Sequence, residues 1–189
     1  MSTVQPPTRA TIDDLYKVEG KAELIGGRIV RLMAHGFLPS KVSARIYRSL
    51  DDYAGQRGGE ANPDGLGFVV PELSSGRESF EPDTSYYDGP LPTNRMRFIE
   101  GAPTFAVETR SENDYGPAAD QEYVEKRADY FEAGTSVVWD VDPVARTISV
   151  YRSGQAAVPA AVYRPGDTAE AEPAVPGWRI AVDAIFAGL

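Results

Sequence analysis

Two carboxylates, Asp83 and Glu108, stand where acidic side chains can hold a metal ion. Asp83 begins a strand-like segment at 83–87, and Glu108 lies near the end of another at 104–109, whose centre is apolar. If these strands are neighbours, the two carboxylates converge at one edge of a sheet. Hard cations such as Mg²⁺ prefer oxygen ligands and keep several waters, so two carboxylates and a backbone carbonyl would suffice. A cation held there can activate water and orient a phosphate, and a nearby lysine can position the nucleophile or stabilise negative charge.

Ordinary structural roles also explain these residues when spacing is considered alone. Strand-terminal acids commonly cap the next helix or pair with surface arginines. Lys126 follows Glu122 by four residues on a predicted helix, which is the spacing of an ion pair along one helix face. Spacing by itself therefore favours these roles over a site shared by Asp83 and Glu108.

The elements that would position these side chains are alternating helices and strands. Apolar residues at helical spacing predict amphipathic helices at 38–56 and 118–133, the second of them followed by Gly134 as a C-cap signal. Strands are predicted at 22–33 (two, around Gly26-Gly27), 66–70, 83–87, 104–109, 136–143, 147–151 and 178–182, with a loop containing one short strand at 154–176. This order predicts an α/β fold, a mixed β-sheet flanked by helices. We expect one domain over residues 1–189, with residues 1–10 as a flexible arm.

Composition narrows the classes of function. The chain has 189 residues and a formal net charge of −9, from 28 acidic and 19 basic residues. That sign argues against a protein that coats DNA, but less against an enzyme that approaches phosphates through metal ions. The absence of cysteine excludes thiolate zinc sites, and the single histidine, His35, excludes multi-histidine sites and is expected on a loop or the surface. The sequence shows no membrane-length apolar run and no signal peptide, so a cytoplasmic location is expected.

Five segments carry motifs in a fixed order: Glu23–Val30 (ELIGGRIV), Pro82–Ser85 (PDTS), Phe105–Ser111 (FAVETRS), Lys126–Gly134 with Trp139–Pro143 (KRADYFEAG and WDVDP), and Pro176–Phe186. The first three resemble the ELIDGRIV, PDVS and VVEVLS elements of the Uma2 family, also called DUF820. The fourth resembles that family's K-x-x-x-Y-x-x-A-G…W-x-V-D-P block, and the last resembles its closing segment. The family consists of restriction-endonuclease-like proteins of the PD-(D/E)XK nuclease superfamily, and the resemblance spans nearly the whole chain.

The resemblance implies a restriction-endonuclease-like core and a site of four residues. Asp83 and Glu108 would bind Mg²⁺ or Mn²⁺, Lys126 would be the catalytic lysine, and Glu23 would be an accessory acid. The implied activity is a metal-dependent endonuclease acting on nucleic acid, with DNA as the expected substrate and a homodimer as a possible assembly. Arg110 stands where the superfamily's usual motif has its lysine; because arginine stays charged, it would hold phosphate.

Two departures from the family pattern keep other functions open. The segment after Glu108 reads Ser111-Glu112-Asn113 where the family has S-P-S, and Ser136–Trp139 replaces P-E-Y-W. These changes and the negative charge allow a binding or regulatory module that keeps the nuclease fold without turnover. A carboxylate-pair glycosidase is a weaker third hypothesis, because it gives the lysine no role. Ordinary surface or packing roles are expected for Arg45, Arg48, Gln121, Glu122, Tyr130 and Trp139.

Overall fold

The computed structural model describes residues 9–189. Its helices are α1 (Ile12–Leu15), α2 (Phe37–Arg57), α3 (Pro117–Ala133) and α4 (Val182–Phe186). Its strands are β1 (Ala22–Ile25), β2 (Arg28–Arg31), β3 (Glu60–Pro63), β4 (Phe68–Val69), β5 (Ser79–Phe80), β6 (Thr84–Tyr87), β7 (Ile99–Glu100), β8 (Phe105–Thr109), β9 (Val137–Asp142), β10 (Thr147–Arg152), β11 (Ala161–Tyr163), β12 (Thr168–Glu170) and β13 (Arg179–Ala181).

A mixed six-stranded sheet forms the centre of the molecule, in the order β11-β10-β9-β8-β6-β3. Strands β8 and β9 run parallel, and α3 connects them, whereas the other neighbouring pairs are antiparallel. All five residues of β8 are buried, as are the first five of β9. Strands covered on both faces are continuously apolar rather than alternating, which is why these two segments can be recognised in the sequence.

Helix α2 covers one face of this sheet. Val42, Ile46 and Leu50 recur about once per turn and are fully buried. They belong to the same core cluster as Phe105 and Trp139 of the sheet. The predicted helix at 38–56 is therefore confirmed, as is the packing role of Trp139.

Helix α3 covers the opposite face. Its Tyr130 is fully buried, in one cluster with Ala106 and Val138. Because side chains of a strand alternate between faces, Ala106 and Glu108 project toward α3, whereas Phe105 and Val107 project toward α2. This alternation directs Glu108 toward the helix that carries Lys126.

The β1–β2 hairpin lies beside the main sheet and turns at Gly26 and Gly27. These glycines have φ values of 57° and 67°, the left-handed conformation that a tight hairpin turn requires at both central positions. The backbone N–H of Gly26 donates to the carbonyl of Gly76, and the N–H of Glu78 donates to that of Leu24. The hairpin is thereby attached to the segment that leads into β5 and β6.

The fold class predicted from the sequence is confirmed, and the differences are local. The predicted strand at 66–70 shortens to β4, a pair of residues at the centre of a small sheet with β5 and β7. The region 154–176 contains two short strands, β11 and β12, rather than one. Most of the predicted arm lies outside the described residues; within them, the N–H of Ala10 donates to the carbonyl of Gly27 at 2.9 Å. Across residues 9–189, none of the helices combines the length and apolar character needed to cross a bilayer.

Candidate active site

Asp83 and Glu108 are brought together by the pairing of β6 with β8. In that register Thr84 faces Val107, so Asp83 lies just before β6 and beside the end of β8. The backbone N–H of Asp83 donates to the Val107 carbonyl at 3.1 Å, and the N–H of Thr109 donates to Asp83 Oδ2 at 2.7 Å. Asp83 and Glu108 are only 4% and 8% exposed. The register therefore sets Asp83 and Glu108 side by side at the same end of their strands.

Lys126 and Tyr130 of α3 contact the Glu108 carboxylate. Lys126 Nζ donates to Oε2 at 2.9 Å, and the Tyr130 hydroxyl donates to Oε1 at 2.6 Å. The two residues are four positions apart and therefore share one face of the helix. Tyr130 also stacks on Phe80 with ring centroids 4.2 Å apart, so this residue combines its expected packing role with a polar contact to the site.

Glu23 joins the cluster from the β1–β2 hairpin. Its Oε1 lies 3.4 Å from Lys126 Nζ and accepts a hydrogen bond from the Glu81 backbone N–H at 3.1 Å. Its Oε2 is paired with Arg77, which is also bonded to Asp129. Lys126 therefore bridges Glu23 and Glu108. The alternative pairing of Lys126 with Glu122 is wrong, because the ammonium points to the sheet edge and the Glu122 side chain is exposed.

The charges at the site are strongly coupled. Burial raises the pKa of Asp83 and of Glu108, and the negative charges of Asp83 and Glu23 raise the pKa of Glu108 further. Burial also opposes ionisation of Glu23, but Lys126 and Arg77 outweigh it and lower the pKa of Glu23 to about 2. Burial works against the charge of Lys126 as well, yet Glu108 and Glu23 raise its pKa above the usual value. Lys126 thus remains an ammonium at neutral pH.

Three residues that the sequence analysis did not place at the site surround Asp83. Lys21 Nζ donates to Asp83 Oδ1 at 3.3 Å and also pairs with Asp64. His35 Nε2 lies 3.3 Å from the same Oδ1. Ligand atoms of His35, Asp64 and Asp83 lie within 4.8 Å of one another, beside an open cavity of about 130 Å³ that these three residues help to line.

A signal for Lys21 existed in the sequence, whereas His35 left none. Lys21 precedes Glu23 by two residues, and residues two apart on a strand project to the same side. His35 lies in the loop between β2 and α2, as expected, but its side chain is only 14% exposed because the loop folds back over Asp83. Its contact with Asp83 joins distant parts of the chain and leaves no local pattern.

Arg110 does not occupy the position expected of a phosphate ligand. Its guanidinium makes two bonds of 2.8 Å to Asp140 and one of 2.7 Å to Asp120. The two aspartates pair with the Arg110 guanidinium, which is therefore the centre of a structural ion-pair network. Arg45, expected to be a surface charge, donates to the Ile185 carbonyl at 2.8 Å and so links α2 to α4.

Several donor atoms at this end of the sheet are carboxylate oxygens, the ligands that a hard divalent cation prefers, and the group whose ligand atoms lie within 4.8 Å of one another is His35, Asp64 and Asp83. Asp83 and Glu108 supply carboxylate oxygens, and the repulsion between two buried carboxylates would be offset by a cation beside them. Among the residues described, Lys21 and Lys126 supply positive charge beside these carboxylates, and His35 lies within hydrogen-bonding distance of Asp83. The donor set contains no thiolate, in keeping with a chain that lacks cysteine.

Comparisons with known proteins agree with this arrangement. The sequence model of the Uma2 family, described as "Putative restriction endonuclease", matches residues 10–183. A crystal structure from Anabaena variabilis, described as a putative nuclease belonging to DUF820, superposes with a TM-score of 0.71 at 19% identity, covering 93% of this chain and 97% of that one. At this identity the likeness establishes a shared fold. No curated protein matches the chain. Because the family match covers nearly the whole sequence, the chain belongs to the Uma2 family of restriction-endonuclease-like proteins.

Proposed function

We propose that this protein is a Mg²⁺- or Mn²⁺-dependent endonuclease that hydrolyses phosphodiester bonds of DNA. The observation that carries the proposal is the position of Lys126. Its ammonium lies between Glu108 and Glu23, at the end of the sheet where Asp83 is also found. Family membership supports the same activity, since the family's description is "Putative restriction endonuclease". Asp83 and Glu108 are the proposed metal ligands, and Glu23 and Lys126 complete the catalytic set.

Each residue has a role that follows from its contacts. A divalent cation supplies Lewis-acid polarisation of a phosphate oxygen and a nucleophilic water at neutral pH. Lys126, which its glutamate partners keep charged, stabilises negative charge on the phosphate and orients the attacking water rather than accepting a proton. Glu23 holds Lys126 in place, and Arg77 in turn holds Glu23. Tyr130 fixes the orientation of the Glu108 carboxylate.

The test is cleavage of DNA and RNA in the presence of Mg²⁺ or Mn²⁺, comparing the wild type with Asp83→Ala and Lys126→Ala. We expect cleavage that requires the metal and that falls by orders of magnitude in both variants, since both remove groups that act on the reacting phosphate. An Asp52→Ala variant, altered on the exposed side of α2, is the matched control and should retain activity. Cleavage that survives both site substitutions contradicts the proposed mechanism.

A binding or regulatory module without turnover is the second candidate. The observation that favours it is that every carboxylate oxygen of Asp83 and Glu108 already has a partner, from Lys21, His35, Thr109, Lys126 or Tyr130. Because each of these oxygens already has a partner, the two carboxylates do not need a metal ion to stabilise them. Calorimetric titration with Mn²⁺ distinguishes the candidates, because binding that Asp83→Ala abolishes supports the enzyme, and no binding supports the silent module. The glycosidase alternative has no support, because the two carboxylates lie on neighbouring strands with a lysine in the same cluster.

A further inference from the structure

Basic residues are concentrated in one part of this acidic chain. Between Leu24 and Leu50 the sequence has five basic residues and no aspartate or glutamate, although the whole chain has a net charge of −9. The five are Arg28, Arg31, Lys41, Arg45 and Arg48. A local excess of positive charge in an acidic protein is the electrostatic footprint expected of contact with a polyanion.

This segment borders the candidate active site. It comprises β2, the loop that carries His35, and the first half of α2. Val30 of β2 is the register partner of Glu23, and paired residues of an antiparallel ladder project to the same face. Arg28, two residues from Val30, projects to that face as well. The basic segment therefore begins beside one site residue, and its loop reaches another, Asp83.

Arg28, Lys41 and Arg48 are exposed, and none of them takes part in the ion pairs formed among residues 9–189. Lys41 and Arg48 are seven residues apart on α2, so they lie on one side of the helix about 10 Å from each other along its axis. Arg45 differs, because its guanidinium is bonded to α4. Three cations are thus available to a ligand from solution.

Exposed apolar side chains occur in the same stretch of sequence as these cations. Val30, Met33 and Phe37 are 40%, 76% and 72% exposed, and they fall within eight residues of sequence. Lys41 Nζ lies 5.6 Å from the centroid of the Phe37 ring. An exposed aromatic ring beside cations is the combination on which unpaired bases stack while the backbone phosphates are neutralised.

We propose that the basic strip, defined as Arg28, Lys41 and Arg48 together with Met33 and Phe37, binds a nucleic-acid strand with unpaired bases and leads it to the site. The cations contact backbone phosphates, and Phe37 stacks on a base, whose face is free only where the strand is unpaired. This inference rests on the proposed nuclease function for its biological meaning, and it adds a substrate form and an entry surface to that function.

The first experiment measures binding apart from cleavage. Fluorescence anisotropy at low salt, in EDTA, compares a labelled single strand with the duplex that it forms with its complement. The Arg28→Glu/Lys41→Glu double variant should bind the single strand at least about tenfold more weakly, and its salt dependence should be shallower by about 0.7 for each phosphate that is no longer neutralised. The Arg164→Glu/Arg179→Glu double variant has the same change in net charge at exposed positions outside the strip, and it should bind like the wild type.

The second experiment tests the aromatic ring. Phe37→Ala should weaken binding of the single strand at least about fivefold and leave duplex binding nearly unchanged, since stacking needs an open base face. Phe37→Trp should restore binding, and Val158→Ala, at an exposed apolar residue elsewhere, should have no effect. A stability role for Phe37 would not produce this pattern, because a fold defect would affect both ligands.

The outcomes separate this inference from the proposed function. Equal weakening by the strip variant and its charge-matched control overturns the inference, as does a wild type that binds no single strand or that prefers the duplex. If cleavage depends on Asp83 but binding does not depend on the basic strip, the nuclease proposal holds and the proposal for the strip is wrong. Binding that depends on the strip, without any cleavage in Mg²⁺ or Mn²⁺, supports the strip and rejects the nuclease.

Discussion

Lys126 is the residue on which the charge balance of the site depends. Its side chain is 20% exposed, and its ammonium lies between two buried glutamates. Buried carboxylates are costly unless they are paired and hydrogen-bonded, and Lys126 is shared by both. The same residue that is proposed to act on the phosphate therefore also permits the acidic cluster to exist.

Replacing Lys126 should consequently reduce stability as well as activity. In the Lys126→Met variant, Glu108 and Glu23 lose a common counter-charge, and breaking a buried pair in this way typically costs about 3–5 kcal/mol. Urea unfolding at neutral pH, without divalent metal, gives the free energy of unfolding. Lys17→Met is the control, because the Lys17–Asp14 pair lies at the surface, where solvent screens it, and its loss should change the free energy of unfolding far less. Similar free energies for the two variants would contradict this account.

Glu23 gives the site a defined response to acid. The pKa of Glu23 in the folded protein is about 2, below the ordinary value of 4.5. The ionised carboxylate is therefore more stable in the folded protein than in the unfolded chain. The resulting stability is fully present above pH 4.5 and is lost as the pH falls toward 2. The free energy of unfolding of Glu23→Gln should therefore fall less steeply over this interval than that of the wild type, whereas the exposed Glu112→Gln variant should follow the wild type. Parallel curves for Glu23→Gln and wild type would show that Glu23 is not held ionised.

At the scale of elements, α3 positions Lys126, and Gly134 ends the helix. Gly134 has φ 109°, a conformation that side chains other than glycine rarely adopt, and its N–H donates to the carbonyls of Phe131 and Tyr130. Among residues 9–189, no atom outside the two adjoining residues lies within 4 Å of a Cβ added there, so the cost of Gly134→Ala comes from the backbone alone.

We expect Gly134→Ala to lower the free energy of unfolding by about 1–2 kcal/mol, with metal-dependent cleavage retained well below the unfolding temperature. Thermal unfolding and a cleavage assay on the same sample measure both effects. Gly55 lies within α2, and in the described part of the chain nothing beyond its own helix backbone comes within 4 Å of an added Cβ, so Gly55→Ala should instead be neutral or stabilising. A Gly134→Ala variant as stable as the wild type would show that the helix end does not need this conformation.

The sequence predicts elements better than it predicts the contacts between them. The period of Val42, Ile46 and Leu50 identifies α2 because one helix face is buried throughout. Glu108 and Lys126 could be assigned from motifs, because both lie in the single β8–α3–β9 unit. The pairing of Arg77 with Glu23 and Asp129 could not be predicted from the sequence. It joins residues more than 50 positions apart and depends on how the hairpin packs on the sheet. The pairing of Arg110 with Asp140 is hidden even within this unit, because the spacing of residues along the chain does not give the register of β8 with β9, which sets Asp140 beside Glu108.

At the scale of the whole molecule, charge is distributed unevenly. The segment from Leu24 to Leu50 is basic and adjoins the site, so the rest of the chain is more acidic than the net charge suggests. Such a distribution orients a polyanion toward one surface and repels it from others. A homodimer, a cytoplasmic location and a single domain over residues 1–189 stay predictions from the sequence.

Metal binding should stabilise the folded domain as a whole. A ligand that binds only the folded state adds about 2.7 kcal/mol at a free concentration of about 100 times its Kd. Mg²⁺ or Mn²⁺ should therefore raise the unfolding temperature of the wild type relative to EDTA, and Asp83→Asn should abolish this increase. Asp52→Asn, on the exposed side of α2, should keep it. An equal metal-induced increase in Asp83→Asn would exclude Asp83 as a ligand.

The bond from the Thr109 N–H to Asp83 Oδ2 has one more consequence. At this point a side-chain oxygen takes the place of a backbone carbonyl and extends the β6–β8 ladder by one bond before the start of β6. The magnetic environment and solvent exchange of a single main-chain amide are thereby tied to the state of one carboxylate. In a nitrogen–proton correlation spectrum, the Thr109 resonance serves as a built-in reporter of protonation, metal occupancy or substitution at Asp83.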